Sequence, residues 1–126
     1  MAEAVRVSVE PGVCGFLCEV FARREGKWSV GLEVRSECKH IRRLGERLSS
    51  ISVRGLFAPI TKNPVSRAAE DAGCHASCPV PLAVIKAAEV AMEVALPRDV
   101  RILFDPSSRR EEAESRRPQE GKQAKP

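Results

Sequence analysis

The chain has no tyrosine, one tryptophan and four phenylalanines among 126 residues. The aromatic platforms on which single-stranded nucleic acids stack their bases are therefore scarce. No apolar run approaches the roughly 20 residues that cross a bilayer, so an integral membrane protein is not expected. The opening residues, Met1 to Val7, alternate and are acidic early. They lack the basic patch and apolar stretch of a secretory signal, which predicts a cytoplasmic protein. Gly-rich phosphate loops, Ser-His-Asp sets and zinc-protease motifs are missing too. Excess charge of one sign is small: the net charge is +4, and residues 109–126, with six Lys/Arg against four Glu, supply half of it. So mild a balance does not point to nucleic acid or to a membrane surface.

What remains is 43% hydrophobic and 30% charged residues, a globular composition. The length suits one domain. Val5, Val7 and Val9 alternate with Arg6, Ser8 and Glu10, the pattern of a half-buried strand that Pro11-Gly12 stops. Phe16 to Ala22, the turn Arg24 to Lys27, and the alternation from Trp28 to Arg35 predict a β-hairpin. Ser36 is a good N-cap for a helix from Glu37 whose buried stripe is Ile41, Leu44, Leu48 and Ile51. A short strand over residues 51–58 is expected next. Asn63-Pro64 then starts a short helix that Gly73 closes. Residues 81–96 are apolar almost all round, with Lys86, Glu89 and Glu93 as the polar stripe, and predict the central helix. Val100, Ile102 and Phe104 suggest a last strand. The expected fold is α+β: a single two-layer domain over residues 1–104, with a mostly antiparallel sheet of four to five strands against a long C-terminal helix and one or two others. Residues 105–126 read as a disordered charged tail.

Five cysteines are an odd number, and in a reducing compartment that favours thiols or metal ligands over disulfides. Cys14 lies in the turn entering strand two, Cys38 in the first turn of a helix and Cys78 just before the long helix. Helix N-termini favour anions, so Cys38 and Cys78 are expected to have lowered thiol pKa values. Cys18 shares the parity of Val20 and is expected in the core. Cys74 and His75 are rivals for a fourth ligand position. Three separated segments each bringing one cysteine to an element boundary suit an iron–sulfur cluster with a non-cysteine or open fourth position; zinc in a Cys3His set would use the same residues. Ordinary packing thiols are the plain alternative. A metal-free thiol or persulfide enzyme using Cys78, and a non-catalytic module for a protein partner, also stay open. The sequence does not specify an oligomeric state. Lys39, Arg43 and Arg47, spaced by four, read as a solvated face, and nucleic acid is not the expected partner.

The segments Pro11-Gly12-Val13-Cys14-Gly15-Phe16, Ser36-Glu37-Cys38 and Cys78-Pro79-Val80-Pro81, followed by Lys86, Glu89-Val90 and Leu96 to Val100, resemble a family of short, uncharacterised archaeal and bacterial proteins. The likeness covers roughly residues 5–104. It implies a three-cysteine site, because in that family the cysteines matching Cys14, Cys38 and Cys78 and the histidine matching His75 recur, whereas Cys18 and Cys74 do not. It implies no activity.

Overall fold

The valine alternation of residues 5–9 does build a strand, β1 (Val5–Val9), and the hairpin follows as β2 (Cys18–Arg24) and β3 (Ser29–Ser36). The computed structural model describes residues 3–107. After β3 come α1 (Lys39–Arg47), β4 (Ser50–Ser52), α2 (Val53–Leu56), a single 3-10 turn (Ile60–Lys62), α3 (Pro64–Asp71) and α4 (Val80–Ala91). The tail expected over residues 105–126 lies almost wholly outside the described residues. No helix among those described is long and apolar enough to cross a membrane.

The four strands pair antiparallel in chain order, β1-β2-β3-β4. Register aligns Val7 with Val20 and Val20 with Val34, so one face collects the apolar side chains. Helix α4 crosses that face over β1 and β2, α1 lies on β3, and α3 packs against both helices. Leu44, Val20, Val30, Val65, Val80 and Val84 are completely enclosed at the centre. Ala87, Ala88 and Ala91 keep the buried side of α4 thin enough to lie close to the sheet. The opposite face is polar: Arg6 pairs with Glu19, and the Arg35 guanidinium sits 4.7 Å over the Phe21 ring. The architecture is the expected two-layer α+β, with four strands.

Several boundaries differ from the sequence reading. Strand β2 starts at Cys18 rather than Phe16, leaving Phe16 and Leu17 exposed in the preceding loop. The expected strand over 51–58 is cut to three residues because Ser52 caps α2, its Oγ accepting from the Gly55 N–H at 3.0 Å. Helix α4 stops at Ala91 instead of Leu96. Its end is closed by two reversed bonds, Glu93 N–H to Val90 C=O and Val94 N–H to Glu89 C=O, which together require a left-handed residue between them. That residue is Glu93, with φ 65. Pattern reading looks for glycine at such a stop and finds none. The last strand does not form either: residues 98–104 lie outside the sheet, and Val100, Ile102 and Phe104 are exposed. Their alternation asks for a surface to cover, yet the inner face of the sheet is already occupied by α1 and α4.

The left-handed Glu93 gives a testable consequence. A side chain at such a position costs roughly 1–2 kcal/mol, a cost glycine does not carry. Glu93→Gly is therefore expected to stabilise the protein by about 1 kcal/mol, read as a rise in the urea midpoint with an unchanged slope.

Candidate functional site

Each of the three boundary cysteines is held by a recognisable local device. Cys14 is at the tip of a turn closed by the Gly15 N–H on the Gly12 carbonyl at 3.0 Å, and both glycines have positive φ, 99 and 74. A side chain at either glycine would strain that turn, which explains why Cys14 is bracketed by glycines. The loop it rides on is exposed, with Val13 fully in solvent. Cys38 is the N-cap residue of α1, so the helix begins two residues later than Ser36 as cap would predict. Ser36 instead accepts the Cys38 N–H on its Oγ at 3.1 Å and donates to the Leu17 carbonyl at 3.1 Å. One hydroxyl thus ties the start of α1 to the loop between Cys14 and Cys18.

Cys78 closes a turn through its N–H on the His75 carbonyl at 3.1 Å, immediately before α4. The Val80 N–H, one of the orphan amides at the start of that helix, acts on its sulfur to favour the thiolate. Cys74 is placed by the end of α3. The Cys74 N–H reaches back to the Ala69 carbonyl and the Gly73 N–H to Glu70, a reversal that Gly73 permits with φ 79. Its thiol then points at the His40 carbonyl, 3.8 Å away. Cys18 is in the core, 2% exposed.

These five positions belong to one neighbourhood. The charge of Cys78 is felt by Cys18 and Cys74, that of Cys38 by Cys18, Cys74 and Cys78, and that of Cys14 by Cys78. The fold therefore gathers thiols from the 11–17 loop, the start of α1 and the α3–α4 connection. Among the described residues, however, no three His, Cys, Asp or Glu side chains stand as an assembled metal-ligating set. Cys38, Cys74 and Cys78 are half-buried against the core, and Cys14 sits outside them on its loop.

The electrostatics differ in sign from the expectation for Cys78. Burial, the largest effect, pushes its thiol pKa up; the Val80 N–H pulls it down; Cys14 and Cys38 push it up again, and the net direction is upward. The helix terminus acts as expected, but desolvation outweighs it. Cys74 is raised by burial and by Cys78 and Cys38. Cys18 is pushed up to about 11 from 9.0, by burial first, then by Cys78, Cys38 and Glu19. Because the folded protein holds this proton more tightly than the unfolded chain, the stabilisation is complete below pH 9 and lost as pH rises towards 11. Under reducing conditions stability should fall by roughly 2–3 kcal/mol across that window. Urea denaturation at its two ends checks this, and Cys18→Val should flatten most of the dependence.

His75 is exposed, its ring centroid 5.9 Å from that of His40. His40 was not singled out by sequence reasoning except as part of a basic helix face. The structure puts it beside the thiols, with Nδ1 hydrogen-bonded to the Ala72 carbonyl at 3.1 Å and packed over Gly73. Lys39, Arg43 and Arg47 are exposed, as a solvated face requires.

No curated protein and no solved structure matches the chain. Residues 5–104 match the model of a family described as "Family of unknown function (DUF6951)", and over that span, which takes in every strand, helix and cysteine described above, the chain belongs to that family.

Proposed function

We propose that the protein is a small metal-binding protein that holds an iron–sulfur cluster on Cys14, Cys38 and Cys78, with a role in electron or sulfur handling in the cytoplasm. The observation that carries the reading is that Cys78, half-buried against the core beside Cys38, lies within range of the charges of both Cys14 and Cys38, thiols from two other segments. Thiolate sets select soft or borderline metals, iron–sulfur clusters and zinc among them. Cys14 and Cys38 both make the Cys78 thiol harder to ionise, and a bound cation would remove that penalty and release the proton. The lowering effect of the Val80 N–H on the Cys78 thiol is of the kind that tunes a ligating thiolate. The resemblance of the cysteine-bearing segments to a family in which these three recur also supports the choice.

The donors fit such a group in kind, and the positions require one adjustment. The three sulfurs do not stand as a ligand set in the fold as it is, so ligation requires them, the exposed Cys14 included, to move together. Bound there, a cluster would supply one-electron transfer or a sulfur-accepting iron. The fourth position falls to His75 or Cys74, or stays open. Zinc on the same residues is the alternative metal. A metal-free thiol chemistry at Cys78 is less favoured, as its thiol is raised rather than lowered.

Purification without air tests the reading. Brown protein with iron and sulfide near one cluster per chain supports it. Colourless protein with zinc moves the site to the alternative. Folded protein that stays free of metal after anaerobic reconstitution with iron and sulfide ends it.

A further inference from the structure

Away from the thiols, helices α1 and α3 run antiparallel. At one end His40 meets Ala72 and Gly73, and at the other Arg47 and Leu48 face Pro64. Between the second pair of ends, and along α3, the surface opens into a trough of about 560 Å³. Its floor is apolar, formed by Leu48 and Ala68. Its walls carry three cations from three different elements: Arg47 from the last turn of α1, Lys62 from the 3-10 turn and Arg67 from α3. A single carboxylate, Asp71, lines the far end. None of the three cations is in an ion pair among the described residues.

We propose that this trough binds a small phosphate ester, with the phosphate among Arg47, Lys62 and Arg67 and a hydroxyl of the ligand at Asp71. Two guanidinium forks and an ammonium around one opening match the tetrahedral, multiply charged phosphate better than a singly charged carboxylate. The volume lies within the range of about 300–1,000 Å³ common to small-molecule sites. The positive end of α3 adds to the attraction. Its first amides contribute little directly, since Pro64 has no N–H and the Val65 N–H is taken by Asn63. Recognition therefore falls to the side chains. Asp71 lies one turn along α3 from Arg67, about 6 Å, and would repel the next phosphate of a polymer. That separation favours a single esterified phosphate over a nucleic-acid strand, and no aromatic side chain lines the trough to stack a base.

The test is amide chemical-shift titration of the full chain with inorganic phosphate, a sugar phosphate and, separately, a single-stranded oligonucleotide. Shifts clustered around residues 47, 62 and 67, with the sugar phosphate binding more tightly than phosphate alone, are the expected result. Lys62→Glu and Arg67→Glu should each weaken binding roughly tenfold or more. Asp71→Asn should cancel the advantage of the sugar phosphate while sparing inorganic phosphate. All three residues are exposed, so the variants are expected to fold, and unchanged spectra away from the trough confirm it. Absence of shifts with either phosphate, shifts unaffected by charge reversal, or binding of the oligonucleotide alone overturns the proposal. Metal content plays no part in this readout, so it stands or falls apart from the cysteine site.

Discussion

Protein carrying Cys38→Ala and Cys78→Ala together is expected to be purified folded and colourless, with iron and sulfide at background, from the same anaerobic preparation that loads the natural chain. Both thiols are half-buried at element boundaries and neither is among the enclosed core side chains. Their truncation should cost about 1 kcal/mol each, mainly for packing and for the Val80 N–H that loses its sulfur. The Cys14→Ala variant is the sharper one. Cys14 is exposed on its turn, so no loss of stability is expected, and a loss of cluster there reads directly on ligation. Cys74→Ala and His75→Ala separate the fourth position: the variant that shifts the visible spectrum without emptying the site identifies the ligand. Retention of iron by the double variant would remove Cys38 and Cys78 from the proposal altogether.

The second large effect is expected at Asn63, the one buried polar side chain among the described residues, 3% exposed. Its Oδ1 accepts from the Val65 N–H at 2.9 Å, capping α3. Its Nδ2 donates to the Leu56 carbonyl at 3.2 Å and to Ala58 at 3.4 Å, securing the end of α2. Asn63→Leu keeps the volume and strands one donor and two acceptors away from water. At 1–3 kcal/mol for an unsatisfied group the loss should be about 3 kcal/mol or more, roughly 10–20 °C in Tm for a domain of this size. Asn63→Ser retains the cap and loses the bridge to α2, so it should fall between the two. Thermal melts of the three proteins decide it; a Leu variant within about 1 kcal/mol of the natural chain would mean that water already satisfies these groups.

How much of this was legible beforehand depends on whether the determining contact is local. β1 and the β2–β3 hairpin could be read because alternation is a property of neighbouring residues. Asn63-Pro64 and Gly73 were readable as the start and stop of α3, since the cap, the fixed proline φ and the left-handed glycine are single-residue signals. The end of α4 was hidden because Glu93 occupies a glycine's conformation. Residues 98–104 misled because alternation reports a wish for one-sided burial, not the existence of a surface to receive it. At the candidate site, the placement of Cys14, Cys38 and Cys78 at boundaries and of Cys18 in the core followed from pattern. The proximity of His40 to Cys74 did not, nor did the upward direction of the Cys78 thiol, which depends on how deeply the α3–α4 connection is buried.

The strand order has a bearing on how newly made chains behave. Every strand pairs with the one next in sequence, so the sheet is built from contacts close along the chain, the longest connection being the one through α1. Residues up to Ser52 suffice to complete it, whereas Cys74 and Cys78 follow α3, and α4 follows them. During synthesis there is thus an interval in which Cys18, buried in the finished protein, lacks the helix that packs on its strand. Oxidants and chaperones meet the nascent chain in that interval, and damage there would strike the thiol neighbourhood before it is whole.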